Sequence, residues 1–198
     1  MKVLSDETKE CVIIDPGCFE ESEERILMQY ISSQNLHPIK LLYTHSHVDH
    51  IFGTNFVAKK YNLKPEIHKA GLPFHINGNE HAKMYGFEID KVIEPEYFIK
   101  DGDIIKFGNS KLNVIYTPGH ADGSVCFVSD EDKFVITGDV LFRDSIGRAD
   151  FPTGDFDVLM KSINTKLFTL PDDFTVYSGH GTETSIGYEK MNNPYVRF

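Results

Sequence analysis

Long apolar runs are missing from this chain. No stretch approaches the roughly 18 residues that a membrane-spanning helix needs, and no signal-peptide hydrophobic region is found. A protein without membrane attachment, located in the cytoplasm, is therefore expected. Cysteine is scarce too: Cys11, Cys18 and Cys126 are odd in number, widely spaced and lack CxxC spacing, which argues against a disulfide framework and for a reducing compartment. Basic residues are the minority, 20 Lys and Arg against 30 Asp and Glu, for a net charge of -10. Phosphate binding needs clustered cations, and the longest basic cluster is Lys59-Lys60, so no nucleic-acid partner is expected. Repeats and low-complexity tracts are also lacking. With 198 residues, 40% of them apolar, the chain can bury one sizeable core and is short for two ordinary domains; residues 1–198 read as a single domain.

What the chain does have is histidine in a concentrated form. "THSHVDH", residues 44 to 50, packs three histidines and an aspartate into seven positions directly after the apolar run Leu41-Leu42-Tyr43. A shuffled chain of this composition would contain H-x-H-x-D-H about once in a thousand tries, so the pattern calls for a cause.

Short apolar runs alternate with longer helical patterns, the sign of a mixed α/β class. Cys11 to Ile14 reads as a buried strand stopped by the Asp15-Pro16-Gly17 turn. Phe19 to Gln34 reads as a helix with acidic first turns and an apolar face of Ile26, Leu27, Tyr30 and Ile31. A strand over Leu41 to Thr44 and a helix over Asn55 to Tyr61 follow. Lys69 to Glu96, rich in glycine, predicts a loop with one short helix that covers the site and contributes specificity. Strands are predicted near Ile104 to Phe107, Leu112 to Tyr116, Val125 to Val128, Phe134 to Thr137 and Thr175 to Tyr177. Phe156 to Leu167 predicts an amphipathic helix packed through Phe156, Leu159, Met160, Ile163 and Leu167, and Thr184 to Met191 a last short one.

Four predicted strand ends lead into metal-ligand residues: Tyr43 into "THSHVDH", Tyr116 into "TPGH", Ile136 into "TGD" and Tyr177 into "SGHG". Loops leaving one rim of a sheet can converge on rigid supports. His45 and His47, two apart in extended chain, point the same way and can share a metal, whereas Asp49 and His50 lie where the chain bends toward a helix and can serve a second. Gly119, Gly138 and Gly179 precede His120, Asp139 and His180, and each is expected to allow the tight turn that aims its ligand. Five histidines and two carboxylates suffice for two metals, with zinc first and iron or manganese admitted by the same donors. Seven O/N donors on four loops fit an open catalytic centre better than a closed, cysteine-rich structural zinc site. His37, His68, His75 and His81 read as ordinary surface or core histidines.

These motifs, in this order, resemble the metallo-β-lactamase superfamily, and the resemblance runs from Cys11 onward. It implies an α/β fold, the αβ/βα four-layer sandwich of two mixed β-sheets flanked by helices. "TPGHADGSVCF", "TGDVLFRDSIGRADFPTGD", "SGHGTETSIGYEK" and "NNPY" look most like the short forms of the glyoxalase II-like group. Carried over by position, the resemblance implies that His45, His47 and His120 hold one metal, that Asp49, His50 and His180 hold another, and that Asp139 bridges them. It also implies that Asp15, in "IDPG", is a buried residue orienting the ligand loop. Two divalent ions would lower the pKa of a water between them and so supply a hydroxide nucleophile. A thioester, whose thiolate leaves readily, suits such a site. In glyoxalase II it is S-D-lactoylglutathione, hydrolysed to D-lactate and glutathione, and Asp49 would accept the proton as the intermediate collapses.

Two departures stand out. Glyoxalase II adds a helical domain that grips glutathione, and this chain lacks the length for it; Arg148, in "GRADF", is the candidate substrate contact, with an ion pair to Asp150 or Asp144 as the alternative. Family members also carry a longer first strand, of which only Met1 to Leu4 remain here. The first strand therefore reads as truncated, leaving its neighbour's edge exposed and a homodimer expected. Two other functions compete: a mononuclear iron persulfide dioxygenase using His45, His120 and Asp139 as a facial triad, and a non-catalytic, metal-stabilised binding module. A true β-lactamase (no export signal, no cysteine ligand), an RNA-processing nuclease (acidic balance) and a flavodiiron protein (no flavin domain) fit less well.

Overall fold

The computed structural model describes residues 1–196, so the last two residues of the predicted 1–198 domain lie outside the described residues. The chain forms two compact units, Met1–Ile99 with Lys106–Lys111, and Lys100–Ile105 with Leu112 onward. Among the described residues no helix is long and apolar enough to cross a membrane.

The first unit is built on a five-stranded sheet in the order β1-β2-β3-β4-β5: β1 (Lys2–Ser5), β2 (Glu10–Ile14), β3 (His37–Leu42), β4 (Pro65–His68) and β5 (Tyr97–Ile99). β1 is antiparallel to β2 and the remaining pairs are parallel. Cys11, Val12, Ile13 and Ile14 are each 0% exposed; an unbroken apolar run of this kind is what a strand covered on both faces requires. The helices α1 (Glu21–Ser33), α2 (Val48–Ile51), α3 (Thr54–Tyr61), α4 (Leu72–Ile76) and α5 (Gly78–Met84) belong to the same unit. α1 starts at a capping box in which the Glu23 carboxylate accepts the amides of Phe19 and Glu20 at 2.8 and 3.0 Å.

Four expectations change here. α1 buries Leu27 and Ile31, while Ile26 and Tyr30 face solvent, so its core stripe is narrower than the apolar pattern suggests. Lys69 to Glu96 holds two helices, α4 and α5, after a 3-10 turn at Lys69–Gly71. β4 and β5, which are too short to leave a periodic signal, complete the parallel side of the sheet. The edge of β2 is not exposed: β1 lies along it from Lys2↔Ile14 to Ser5↔Cys11, and the edge that remains is that of β1.

A six-stranded sheet in the order β13-β12-β9-β8-β7-β6 lies in the second unit except for residues 106–111, the β6–β7 turn with its flanking strand ends, which group with the first. Its strands are β6 (Ile104–Phe107), β7 (Ser110–Tyr116), β8 (Val125–Ser129), β9 (Phe134–Gly138), β12 (Thr175–Ser178) and β13 (Thr184–Ser185); a separate two-stranded hairpin, β10 (Leu141–Phe142) and β11 (Ser145–Ile146), follows β9. β12 runs parallel to β9, and β7, β8 and β9 are successively antiparallel. Both sheets are therefore mixed. α6 (Phe156–Thr165) is capped by the Asp155 carboxylate, which accepts the Val158 amide at 2.9 Å. It buries Leu159, Met160 and Ile163, each such side chain contributing about 1.5–3 kcal/mol. Phe156, expected on that face, is 52% exposed, and Leu167 is buried from the 3-10 turn beyond the helix end. α7 (Ile186–Asn192) closes the unit. All three cysteines are free and buried. Burial pushes Cys11 and Cys126 up to about 12 and Cys18 up to about 11, so the thiols stay neutral.

Candidate metal centre

In the first unit, β2 and β3 end side by side, with Ile14 opposite Leu42, so the segments carrying Asp15 and Thr44 leave the sheet at the same edge. The Asp15 amide extends the pairing by donating to the Leu42 carbonyl at 3.0 Å. Asp15 then adopts a φ of +50°, a left-handed conformation that aspartate tolerates better than most residues. The turn swings its carboxylate over the next loop. There it accepts the Thr44 amide at 2.8 Å and the Thr44 hydroxyl at 2.6 Å, with His50 Nδ1 at 3.1 Å. The glycine of "IDPG" has its own reason: a Cβ on Gly17 would stand 2.2 Å from the Asp49 carbonyl oxygen.

This arrangement selects histidine tautomers. The Thr44 hydroxyl has one proton and gives it to Asp15, so toward His45 Nδ1, 3.1 Å away, it can only accept. Nδ1 of His45 therefore carries the ring proton, and Nε2 keeps the lone pair that a metal would take. The same holds for His50, whose Nδ1 faces the Asp15 carboxylate and whose Nε2 lies 3.6 Å from Asp49 Oδ2. His45 and His50 are buried with ring centroids 4.1 Å apart, and the half-buried His47 ring lies 4.7 Å from His45. Beneath them the fully buried Tyr43 hydroxyl bonds to Thr54 Oγ1 at 2.7 Å, and Thr54 in turn donates to the Ile51 carbonyl at 2.6 Å, which braces α2. Burial holds the Tyr43 phenol neutral, well above its usual range.

In the second unit, β9 and β12 end together and the Gly179 amide continues their pairing by donating to the Gly138 carbonyl at 2.8 Å. Asp139 and His180 are the next residue on each chain, and His180 Nε2 lies 3.6 Å from Asp139 Oδ2. His120 approaches from the loop after β7, its Nε2 3.9 Å from Asp139 Oδ2. Its Nδ1 lies 2.7 Å from the Arg148 carbonyl oxygen. A carbonyl can only accept, so Nδ1 is protonated and Nε2 is again the available donor atom. Gly119 and Gly138 have φ of +123° and +50°, as their expected turning role requires. Around His180 the left-handed residue is Gly181, at +79°, and not Gly179, because Gly179 remains in the sheet pairing.

The predicted residues thus fall into two groups: Asp15, His45, His47, Asp49 and His50 in one unit, and His120, Asp139 and His180 in the other. Asp49 and His180 are solvent-accessible, and the remaining donors are buried or half-buried. Arg148 makes a bidentate ion pair with Asp150 at 2.9 and 2.8 Å and stacks 4.2 Å above the Phe151 ring, so the alternative pairing expected for it is present. His75 is a core histidine, its Nε2 donating to the Ile93 carbonyl at 2.9 Å. Its pKa is lowered, chiefly by burial. His68 accepts the Ala70 amide in a turn. Thr44, the Arg148 carbonyl and Phe74, whose ring lies 5.7 Å from that of His47, escaped the sequence reading. Thr44 was within reach of it, as the residue between strand and first histidine; a backbone carbonyl leaves no sequence signal.

Comparison with known proteins gives consistent matches. The sequence model of the metallo-beta-lactamase superfamily matches residues 3–180. The chain is 37% identical to the hydroxyacylglutathione hydrolase GloC of Haemophilus influenzae, over 98% of this chain and 91% of that one. It is 34% identical to the probable metallo-hydrolase YqgX of Bacillus subtilis, over 98% and 90%. Among solved structures it is similar to the BLEG-1 B3 metallo-beta-lactamase, with TM-score 0.88 and 32% identity over 98% and 92% of the chains. It is also similar to TTHA1623 in a di-iron-bound form, with TM-score 0.84 and 34% identity over 93% and 89%.

Proposed function

Because the chain belongs to the metallo-β-lactamase superfamily and is a metal-dependent hydrolase within it, we propose that it hydrolyses a thioester in the cytoplasm, with S-D-lactoylglutathione as the first candidate. In this proposal residues 1–198 act as one domain. His45, His47 and His120 hold one divalent ion, Asp49, His50 and His180 a second, and Asp139 is shared. Zinc comes first, and iron or manganese fit the same donors; the di-iron form of a relative keeps iron in consideration.

The observation that carries the proposal is the donor chemistry within each unit. In His45, His50 and His120, the buried imidazoles of the site, Nδ1 faces Thr44, Asp15 or the Arg148 carbonyl, which leaves Nε2 as the donor atom. Bound there, two divalent ions supply Lewis acidity toward an acyl carbonyl and bring the pKa of water toward neutrality. The chain's own residues do the rest. Asp15 and Thr44 hold the rings in the ligating tautomer. Asp49, accessible on the first turn of α2, accepts the proton released on collapse. A thiolate needs no protein acid to leave. Arg148, held on Phe151, presents a guanidinium suited to an acidic group on the thiol carrier.

The test is elemental analysis of protein purified without added metal, together with anaerobic assay of S-D-lactoylglutathione. About two metals per chain and oxygen-independent cleavage are expected. One iron per chain, no hydrolysis and oxygen uptake with glutathione persulfide would replace the proposal by the dioxygenase reading.

A further inference from the structure

The stretches TSIGYEK and NNPY supply no metal donor, yet they follow the His180 loop directly. They form β13, α7 and the turn after it, and at their centre Glu189 is 0% exposed. Both of its carboxylate oxygens are engaged. Oε1 accepts the Thr184 hydroxyl at 2.5 Å, and Oε2 accepts the Asp144 amide at 3.1 Å and Asn193 Nδ2 at 2.7 Å. Asn193, also fully buried, donates from the same Nδ2 to the Ser145 carbonyl at 2.9 Å, and its Oδ1 accepts the Tyr195 amide at 3.1 Å.

Arg143 and Asp144 form the tip of the β10-β11 hairpin, where Asp144 has a φ of +56°, and Ser145 opens β11. One leg of that hairpin starts just after Asp139. The other leads to Arg148, whose carbonyl orients His120. Thr184, on the remaining limb, lies four residues after His180. A single carboxylate therefore ties the hairpin that follows Asp139 to the limb that bears His180, and it reaches His120 only through the hairpin leg that ends at the Arg148 carbonyl. Three donors converge on it, and only a group with no proton of its own can accept them all.

We propose that Glu189 is a positioning residue: by clamping the Asp144 tip and Thr184 it sets Asp139, His120 and His180 for metal binding. This rests on the two-metal reading of the site. Methionine at 189 keeps the length of the side chain but offers none of the three donors an acceptor. The Asn193 amide cannot flip to compensate, because its oxygen holds Tyr195 and its nitrogen holds Ser145.

Two readouts on Glu189→Met test the clamp. In metal-free protein, amide hydrogen exchange of Gly147, Asp144 and Gly179 is expected to rise on the order of tenfold or more, while the paired amides of β8 and β9 keep their wild-type rates. In zinc and cobalt titrations, affinity falls about 10- to 100-fold with an altered cobalt absorption spectrum. Ile163→Ala, a buried position on α6 in the same unit, supplies the control: it lowers the melting temperature without a change in either readout. Thr184→Val removes only the Oε1 limb and raises exchange in residues 180–184 alone, which keeps the proposal testable if the methionine variant does not fold. Exchange that rises across the whole sheet, or metal affinity lost only in proportion to stability, overturns the clamp. Wild-type protein that binds fewer than two metals overturns the two-metal reading, while the exchange data still decide the role of Glu189.

Discussion

Replacing Asp15 by asparagine should disable two histidines that the substitution does not touch. Asparagine tolerates the left-handed φ of +50° as well as aspartate does, so the backbone has no reason to move. The side chain keeps one oxygen, enough for the Thr44 amide, and presents an NH2 where the second oxygen was. That NH2 now faces the Thr44 hydroxyl, which donates to Asp15 in the native protein, and His50 Nδ1, which lies 3.1 Å from the same oxygen. Thr44 rotates to accept from it and hands its own proton to His45 Nδ1; His50 Nδ1 likewise becomes an acceptor. Both rings then carry their proton on Nε2, the atom needed for a metal. Losses of this kind cost about 10- to 100-fold in metal affinity, equivalent to roughly 1.4–2.7 kcal/mol. Two hydrogen bonds to a buried charge also weaken, at about 1.5–3 kcal/mol for each one lost, so the metal-free protein should unfold at lower denaturant. Competitive zinc titration measures the first effect and urea unfolding of metal-free protein the second. A variant that unfolds earlier yet binds zinc within a factor of about two of wild type would refute tautomer control by Asp15 while leaving its structural role intact.

Other outcomes follow from single features. His75, whose pKa burial lowers below its usual 6.5, binds its proton more readily in the unfolded chain. Its stability contribution is therefore present above pH 6.5 and lost as the pH falls toward the lower folded value. His75→Gln, which can still donate to the Ile93 carbonyl, should remove up to about 1.4 kcal/mol per pH unit of that slope in denaturant midpoints taken below pH 6.5. Gly147→Ala places a Cβ 1.9 Å from the Asp139 carbonyl oxygen and 3.1 Å from His120 Nδ1; metal content should drop with the melting temperature, and a full metal complement would argue against the tight hairpin base. Ile163→Ala, in the core under α6, should cost about 2–5 kcal/mol in urea unfolding with metal stoichiometry unchanged. Arg148→Ala should raise KM for an acidic thioester with kcat unchanged; equal kinetics would make the Asp150 pair its only role.

Much of the site was legible because its geometry is local. The two-residue spacing of His45 and His47 fixes their common direction wherever the chain is extended, and the strand preceding it is visible as Leu41-Leu42-Tyr43. What stayed hidden depends on residues far apart in the chain. Asp15 is readable only by resemblance, since its partners Thr44 and His50 come 29 and 35 residues later. The role of Glu189 requires the Asp144 tip, 45 residues earlier. Among the elements, β4 and β5 are too short to show period two, and the break at Asn77 between the two helices of residues 72–84 leaves no periodic signal. At Gly78, where α5 starts, a Cβ would stand 2.4 Å from Ile51 Cδ1, so that side chain would have to shift for a larger residue. The exposure of Ile26 and Tyr30 shows the converse error: an apolar stripe in sequence is wider than the surface available to bury it.

The hairpin between Asp139 and Arg148 also sets a rule about chain length. One extra residue in residues 140–147 would shift a leg by about 3.3 Å and turn its side chains to the opposite face, moving Asp139 away from its neighbours or the Arg148 carbonyl away from His120. This stretch can change its letters but not its count. At Gly86 the situation is reversed, with nothing within 4 Å of a Cβ there, and extra residues near that tip displace only water. A library of single-codon insertions should therefore leave a blank over 140–147 and fill in around 84–86, where Met84 and Tyr85 are exposed, a spacing constraint written in missing variants and not in preferred amino acids.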